Sequence, residues 1–93
     1  MAGQSNAREI IEEKTFDAEK HRVARSARRL DEMLRGLTWA VSRKPESFPK
    51  VHELNLYLAK TEDAPDAPAV NVWFTFDDQT VHLLYIELAT DTE

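Results

Sequence analysis

The stretch VNVWFTFDDQTVHLLYIEL, residues 70–88, contains two runs rich in β-branched and aromatic residues on either side of the tetrapeptide DDQT. Such runs favour β-strands, and aspartate suits a short connection because its side chain accepts hydrogen bonds from nearby backbone. In the first run apolar residues alternate with Asn71, Trp73 and Thr75, which predicts a strand with one buried face. The second run, residues 81–88, is apolar on both sides, as in a central strand. The stretch therefore predicts a β-hairpin.

The segment that precedes this hairpin predicts a third strand. VHELNLYLAK, residues 51–60, alternates with a period of two residues. The alternation predicts a buried face made of Leu54, Leu56 and Leu58. Residues 61–69, TEDAPDAPA, are acidic and contain two prolines, so we expect a loop between the strands. Together the three strands predict an antiparallel meander.

Residues 17–44 carry a strong helix signal. Apolar residues recur there in steps of three and four, at Val23, Ala27, Leu30, Leu34, Leu37 and Val41. This stripe predicts one long helix over about residues 22–43. Gly36 either permits close approach of the sheet or marks a break between two helices. Pro45 disfavours helical geometry in the residue before it and is expected to end the helix.

The segment EIIEEKTF, residues 9–16, is compatible with a first strand and equally with a helix. In either case the chain is predicted to be α+β, with a long helix packed on a three- to four-stranded antiparallel sheet. We expect one domain over residues 9–89, a disordered start at residues 1–8 and an acidic tail at residues 90–93.

The charge of the chain is distributed unevenly. The 93 residues have a net charge of −5, yet all 12 lysines and arginines lie within residues 1–60, and residues 61–93 contain 8 acidic residues and no basic one. The absence of cysteine excludes disulfides, thiol catalysis and Cys-based zinc sites. We find no signal-peptide core and no apolar run of the ~20 residues that span a bilayer. A soluble, cytoplasmic protein with no membrane association is therefore expected.

The order of predicted elements resembles a known family. A strand, an arginine-rich helix, the motif PESFP, a strand, and then VNVWFTFDD and VHLLYIEL are similar to the RelE/ParE superfamily. Its members are small toxins of bacterial toxin–antitoxin pairs, and some are solitary relatives without known toxicity. The resemblance covers residues 10–88 and implies a helical layer on one face of a twisted sheet.

In the ribonuclease branch of that family, basic residues on the sheet contact messenger RNA on the ribosome. At the matching positions this chain has other residues: Asn55 and Tyr57, then Val70 and Asn71, and finally Ala89, Thr90 and Asp91. A groove without cations repels a phosphate backbone. The resemblance thus implies a toxin-type protein that binds another protein and does not cleave RNA, as in the gyrase-directed ParE branch.

Two other functions stay open at this point. A divergent ribosome-dependent endoribonuclease would use Tyr57, Lys60, His82 and Tyr85, with His82 as the base. An accessory domain of the same fold would have no toxin role. The three histidines have no metal-site spacing, and we expect neither a metal nor another cofactor.

The candidate partner-binding residues are Arg22, Arg25, Arg29 and Trp73. The arginines are the chain's main concentration of positive charge and could hold an acidic segment of an antitoxin-like protein. Tryptophan is enriched at binding hot spots, and Trp39 and Trp73 are expected to be core or partner anchors. A protein partner is favoured over nucleic acid, and a homodimer is compatible with the sequence.

Overall fold

The computed structural model describes residues 7–25, 29–51, 53–62 and 68–89. Its helices and strands follow in the order β1 (Glu9–Glu12), α1 (Lys14–Ala24), α2 (Leu30–Arg43), β2 (Tyr57–Lys60), β3 (Val70–Phe76) and β4 (Thr80–Leu88), with a short 3₁₀ turn at Pro45–Ser47 between α2 and β2. The chain is thus α+β, as predicted.

The four strands form a mixed sheet in the order β1-β4-β3-β2. β2, β3 and β4 make the predicted antiparallel meander, and β1 lies parallel to β4 with Glu9 opposite Thr80. The expectation of a purely antiparallel sheet was therefore wrong. The first strand pairs with the last, so its direction depends on a contact between distant parts of the chain.

The ambiguous segment at residues 9–16 contains both predicted structures in succession. Residues 9–12 form β1, and α1 begins at Lys14. Phe16, in the first turn of α1, is fully buried. Arg8, the last residue of the start that we expect to be disordered, donates its backbone N–H to Ser42 O at 2.8 Å and its Nε–H to Asp77 O at 2.6 Å. Residues 1–6 and 90–93 lie outside the described ranges.

The predicted long helix is two helices, with α1 ending at Ala24 and α2 beginning at Leu30. Gly36 is not the break, because it lies within α2 on an exposed face. The two helices pack on one face of the sheet and enclose a single core, made of Phe16, Val23, Leu30, Leu34, Val41, Ala59, Val70, Val72, Phe74, Val81, Leu83 and Ile86. Within the described ranges, neither helix is both long and apolar enough to cross a membrane.

The strand predicted over residues 51–60 is shorter than expected and has the opposite face buried. β2 begins only at Tyr57, and Leu54 is 58% exposed in the turn before it. Pairing with β3 places Ala59 opposite Val72 in the core and turns Leu58 to the other side of the sheet, opposite Trp73. A slip of one residue moves every side chain of a strand to the other face. The leucine alternation was thus misleading because Ala59 fits beneath the helices.

A β-bulge interrupts the pairing of β3 with β4. Trp73 pairs with Tyr85, but the next residue, Phe74, pairs with Leu83, so Leu84 is the extra residue on β4. A bulge of this kind changes the alternation of side chains along the longer strand. Leu83 and Ile86 consequently both point into the core, although they are three residues apart.

Candidate functional site

The side of the sheet opposite the helices carries the candidate site. We call it the open face and define it by eight residues of β2, β3 and β4 whose side chains point away from the core: Leu58, Lys60, Asn71, Trp73, Thr75, His82, Tyr85 and Glu87. The bulge at Leu84 places both His82 and Tyr85 on this face. Neither α1 nor α2 packs against it.

An apolar row crosses the middle of the open face. Leu58, Trp73 and Tyr85 are aligned on β2, β3 and β4, and each is partly exposed. The ring centroids of Trp73 and Tyr85 are 5.7 Å apart at an interplanar angle of 52°. Aromatic side chains held in this way present a large, rigid contact area, which is typical of protein-binding surfaces.

A polar row lies beside the apolar one and contains a buried acceptor without a partner. Lys60, Asn71 and Glu87 are aligned across β2, β3 and β4. Asn71 is only 5% exposed, and its Nδ2 donates to Glu87 Oε2 at 3.4 Å. Its Oδ1 is buried and accepts no hydrogen bond from the part of the chain that the structure describes. A buried acceptor without a donor lowers the stability of the fold by on the order of 1–3 kcal/mol. Such acceptors are rare at positions whose only role is to stabilise the fold.

His82 lies between a carboxylate and a hydroxyl at the other end of the open face. Its Nδ1 is 2.6 Å from Glu13 Oε2, and its Nε2 is 3.2 Å from Thr80 Oγ1. An ionised carboxylate can only accept, so Nδ1 carries a proton and donates it to Glu13. The imidazole therefore ties the junction of β1 and α1 to β4.

The hydroxyl of Thr80 has a second acceptor within reach. Asp77 Oδ1 lies 2.9 Å from Thr80 Oγ1 and also accepts from the backbone N–H groups of Gln79 and Thr80, each at 2.8 Å. The hydrogen bonds from Gln79 and Thr80 lower the pKa of Asp77 below its usual 3.8. Hydroxyl, imidazole and carboxylate follow in the order used in nucleophilic catalysis, but Asp77 competes with His82 for the Thr80 proton.

The four residues proposed for a divergent ribonuclease are not brought together. Tyr57 lies on the core side of the sheet, stacked on Phe74 at 5.6 Å between ring centroids. Lys60 and His82 lie on the open face at opposite ends, roughly 16 Å apart by strand geometry. Tyr85 lies between them, beside Trp73.

The arginines singled out in the sequence belong to the helical layer, on the other side of the sheet from Trp73. Arg22 pairs with Glu19 on α1, and Arg29 pairs with Glu32 at 2.6 Å. Arg25 is exposed at the end of α1. These arginines and Trp73 thus do not form one continuous surface.

Sequence reasoning missed two features of the molecule. Glu13 was not recognised as the partner of His82, because 69 residues separate them and no local pattern joins them. The second feature is the contact of Arg43 with Trp39, which was expected either in the core or at a partner interface. Trp39 is 61% exposed on α2, and the guanidinium of Arg43 lies 4.2 Å from its ring centroid. The signal for this second feature was available, since Trp39 and Arg43 lie one helical turn apart and off the apolar stripe.

In the described part of the chain, no group of three or more His, Cys, Asp or Glu side chains could hold a metal ion. Comparison of the whole chain with family models, with curated proteins and with solved structures gives no match.

Proposed function

We propose that the chain is a toxin-type protein of the RelE/ParE kind that acts by binding another protein and does not cleave RNA. The order of its elements supports this proposal, since a strand, a helical layer on one face of the sheet and a three-stranded meander are what the resemblance in the sequence implies. The helices cover one side of the sheet and leave the other side for a partner.

The observation that carries the proposal is the composition of the open face. Its centre is the aromatic pair of Trp73 and Tyr85, and among the described strand residues Lys60 is the one cation. Glu87 and the Glu13 carboxylate beside His82 add negative charge. An apolar centre with an acidic border suits a protein segment, whereas it would repel a phosphate backbone.

A partner that contacts both Trp73 and the arginines of the helical layer has to pass around an edge of the sheet. An extended segment, as antitoxins of the related family provide, can do so. It would place apolar residues on Trp73 and Tyr85 and acidic residues near Arg25.

The proposal is tested by induced expression in a bacterial host, together with incubation of the purified chain with translating ribosomes. We expect growth arrest that co-expression of the neighbouring reading frame relieves, and intact messenger RNA. Trp73→Ala should weaken binding to the product of that reading frame at least tenfold, about 1.4 kcal/mol. Leu54→Ala, which also truncates an exposed apolar side chain, is the matched control and should bind normally.

The contact of His82 with Glu13 favours a second candidate, the divergent ribonuclease. A histidine oriented by a carboxylate can act as a general base. If messenger RNA is cleaved and the cleavage disappears in both His82→Ala and Lys60→Ala, the binding proposal is wrong. Absence of growth arrest, with no cleavage, would instead indicate an accessory domain without a toxin role.

A further inference from the structure

Helix α2 has two stripes on opposite sides. One faces the core and consists of Leu30, Leu34, Leu37 and Val41. The other, which we call the outer stripe, consists of Glu32, Gly36, Trp39 and Arg43 and is exposed at all four positions. Its steps of 4, 3 and 4 residues keep it on one side of the helix over about 17 Å. The outer stripe therefore offers a straight surface to a second helix.

Trp39 makes this surface apolar at its centre. Its side chain is 61% exposed and borders a cleft of about 330 Å³ that also contains Ala40 and Phe48. A tryptophan exposed to this extent beside other apolar atoms leaves a large area in water that a contact could bury.

Gly36 is the second unusual feature of the outer stripe. Glycine costs roughly 1 kcal/mol relative to alanine in a helix interior. A Cβ added at Gly36 would meet no atom of the described residues within 4 Å, so none of those residues requires a glycine at this position. What it provides is a depression on the helix surface, one turn from the protruding Trp39.

The charges of the stripe are asymmetric along the helix. Asp31 and Glu32 lie in the first turn of α2, whereas Arg43 and Lys44 lie at its end. If two α2 helices pack antiparallel through their outer stripes, with the twofold axis midway between Gly36 and Trp39, then Trp39 faces Gly36 of the second copy and Arg43 faces Glu32 of the second copy. Each protrusion then meets a depression and each cation meets a carboxylate, whereas parallel packing would set like charges against each other.

We infer that the outer stripe of α2 is the interface of a symmetric, antiparallel homodimer of this chain. The guanidinium of Arg43, stacked on Trp39 at 4.2 Å, is held against the outer stripe beside the residue that would fill the depression. Glu32 Oε1 accepts a hydrogen bond from Arg29 Nε of its own chain. Because a carboxylate can accept from two cations, Glu32 can also pair with Arg43 of the second copy. One helix pair of this length buries less than the ~800 Å² per partner of a standard interface, so the dissociation constant should be in the micromolar range.

Sedimentation equilibrium between about 1 and 500 μM tests the inference. The unaltered chain should be a dimer at the upper end and dissociate on dilution. Trp39→Ala should raise the dissociation constant at least tenfold, and so should Gly36→Leu, which fills the depression. Gly36→Leu also raises helix propensity, so a loss of dimer cannot be attributed to unfolding, which circular dichroism checks. Trp73→Ala, on the open face, should leave the dimer intact.

A charge exchange tests the antiparallel direction. Glu32→Arg and Arg43→Glu should each weaken the dimer, and the double variant should recover most of the lost affinity because the two charges meet across the twofold axis. A monomer at 500 μM, a dimer that Gly36→Leu leaves unchanged, or a double variant no stronger than either single variant would each overturn the inference. A dimer that dissociates with Trp73→Ala but not with Trp39→Ala would place the interface on the open face instead.

Discussion

Glu13 and His82 meet at 2.6 Å between Oε2 and Nδ1, although 69 residues separate them in the chain. Next to this contact, the backbone N–H of Glu13 donates to Leu83 O at 3.0 Å. The side-chain and backbone bonds together attach the start of α1 to the central strand β4. These bonds therefore anchor β1 to β4 at the C-terminal end of β1, where the chain passes into α1. The sequence did not predict this parallel strand pair.

A double-mutant cycle should detect this attachment. We expect Glu13→Ala and His82→Ala each to lower the free energy of unfolding, with a coupling of about 0.5–1 kcal/mol between them. The value is small because Glu13 and His82 are 43% and 32% exposed, so that water competes for the hydrogen bond between them. Urea unfolding at pH 7 gives the free energy of unfolding of the unaltered chain, the two single variants and the double variant. Strictly additive effects would mean that the contact does not stabilise the fold.

Asp77 should make the stability of the hairpin depend on acid pH. Backbone N–H groups of Gln79 and Thr80 hold the pKa of Asp77 below 3.8 in the folded chain. The unfolded chain therefore binds the proton more readily, so the contribution of Asp77 to stability is present above about pH 4 and is lost as the pH falls through the folded pKa. Asp77→Ala should lower the urea midpoint at pH 7 and have a much smaller effect at about pH 2.5.

Asp78→Ala, at the next position of the same turn, is the matched control for this experiment. Asp78 is exposed, and we expect little change in the midpoint at either pH. If Asp77→Ala lowers the urea midpoint by the same amount at both pH values, the ionised carboxylate is not the stabilising group.

Asn71 should tolerate an apolar replacement better than an acidic one. Asn71→Val removes the orphan Oδ1 from the buried row and introduces a residue that favours strands, so stability should be unchanged or rise by up to about 1 kcal/mol. Asn71→Asp would bury a carboxylate beside Glu87 and should cost roughly 2–3 kcal/mol at pH 7, with relief in acid. Chemical denaturation of the three proteins at pH 7 and pH 4 tests the ranking.

If the open face binds a partner as proposed, and binding turns the Asn71 amide outward so that Oδ1 accepts from the partner, Asn71→Val should be stable yet bind less tightly. Unchanged affinity for the partner would show that Asn71 Oδ1 takes no part in binding. A marked loss of stability in Asn71→Val would show that the amide stabilises the strand pair despite its orphan acceptor.

The corrected face of β2 is testable with two small substitutions. Ala59 is fully buried opposite Val72, so Ala59→Leu should overpack the core and cost about 1–3 kcal/mol. Leu54→Ala should change the free energy of unfolding by less than about 0.5 kcal/mol, since Leu54 is 58% exposed. Thermal or urea unfolding measures both effects. If Leu54→Ala costs more stability than Ala59→Leu, the buried face of β2 is the one that the leucine alternation predicted.

Local patterns predicted much of the fold. The hairpin of β3 and β4, its turn at Asp77, and a helical layer on the sheet were expected, and the structure has them. Two strands joined by a short turn fix each other's register. Helical spacing likewise identifies the core side of α2 without knowledge of what covers it.

The candidate site was less accessible to such reasoning. The sequence placed Trp73 away from the core correctly, but it assigned Tyr57 to a set with Lys60 and His82 that the structure divides between two faces and two ends of the sheet. The bulge at Leu84 decides which residues of β4 share the open face, and no residue of β4 signals a bulge by its type.

The amino-acid sequence by itself determined where the strands β3 and β4 and the core stripe of α2 lie, because these depend on contacts between residues close in the chain. Only the tertiary structure decided that β1 runs parallel to β4, that Ala59 rather than Leu58 faces the core, and that Glu13 reaches His82. Those features arise from packing between distant segments. Such packing depends on which side chains fit the remaining space, and a local pattern carries no information about that space.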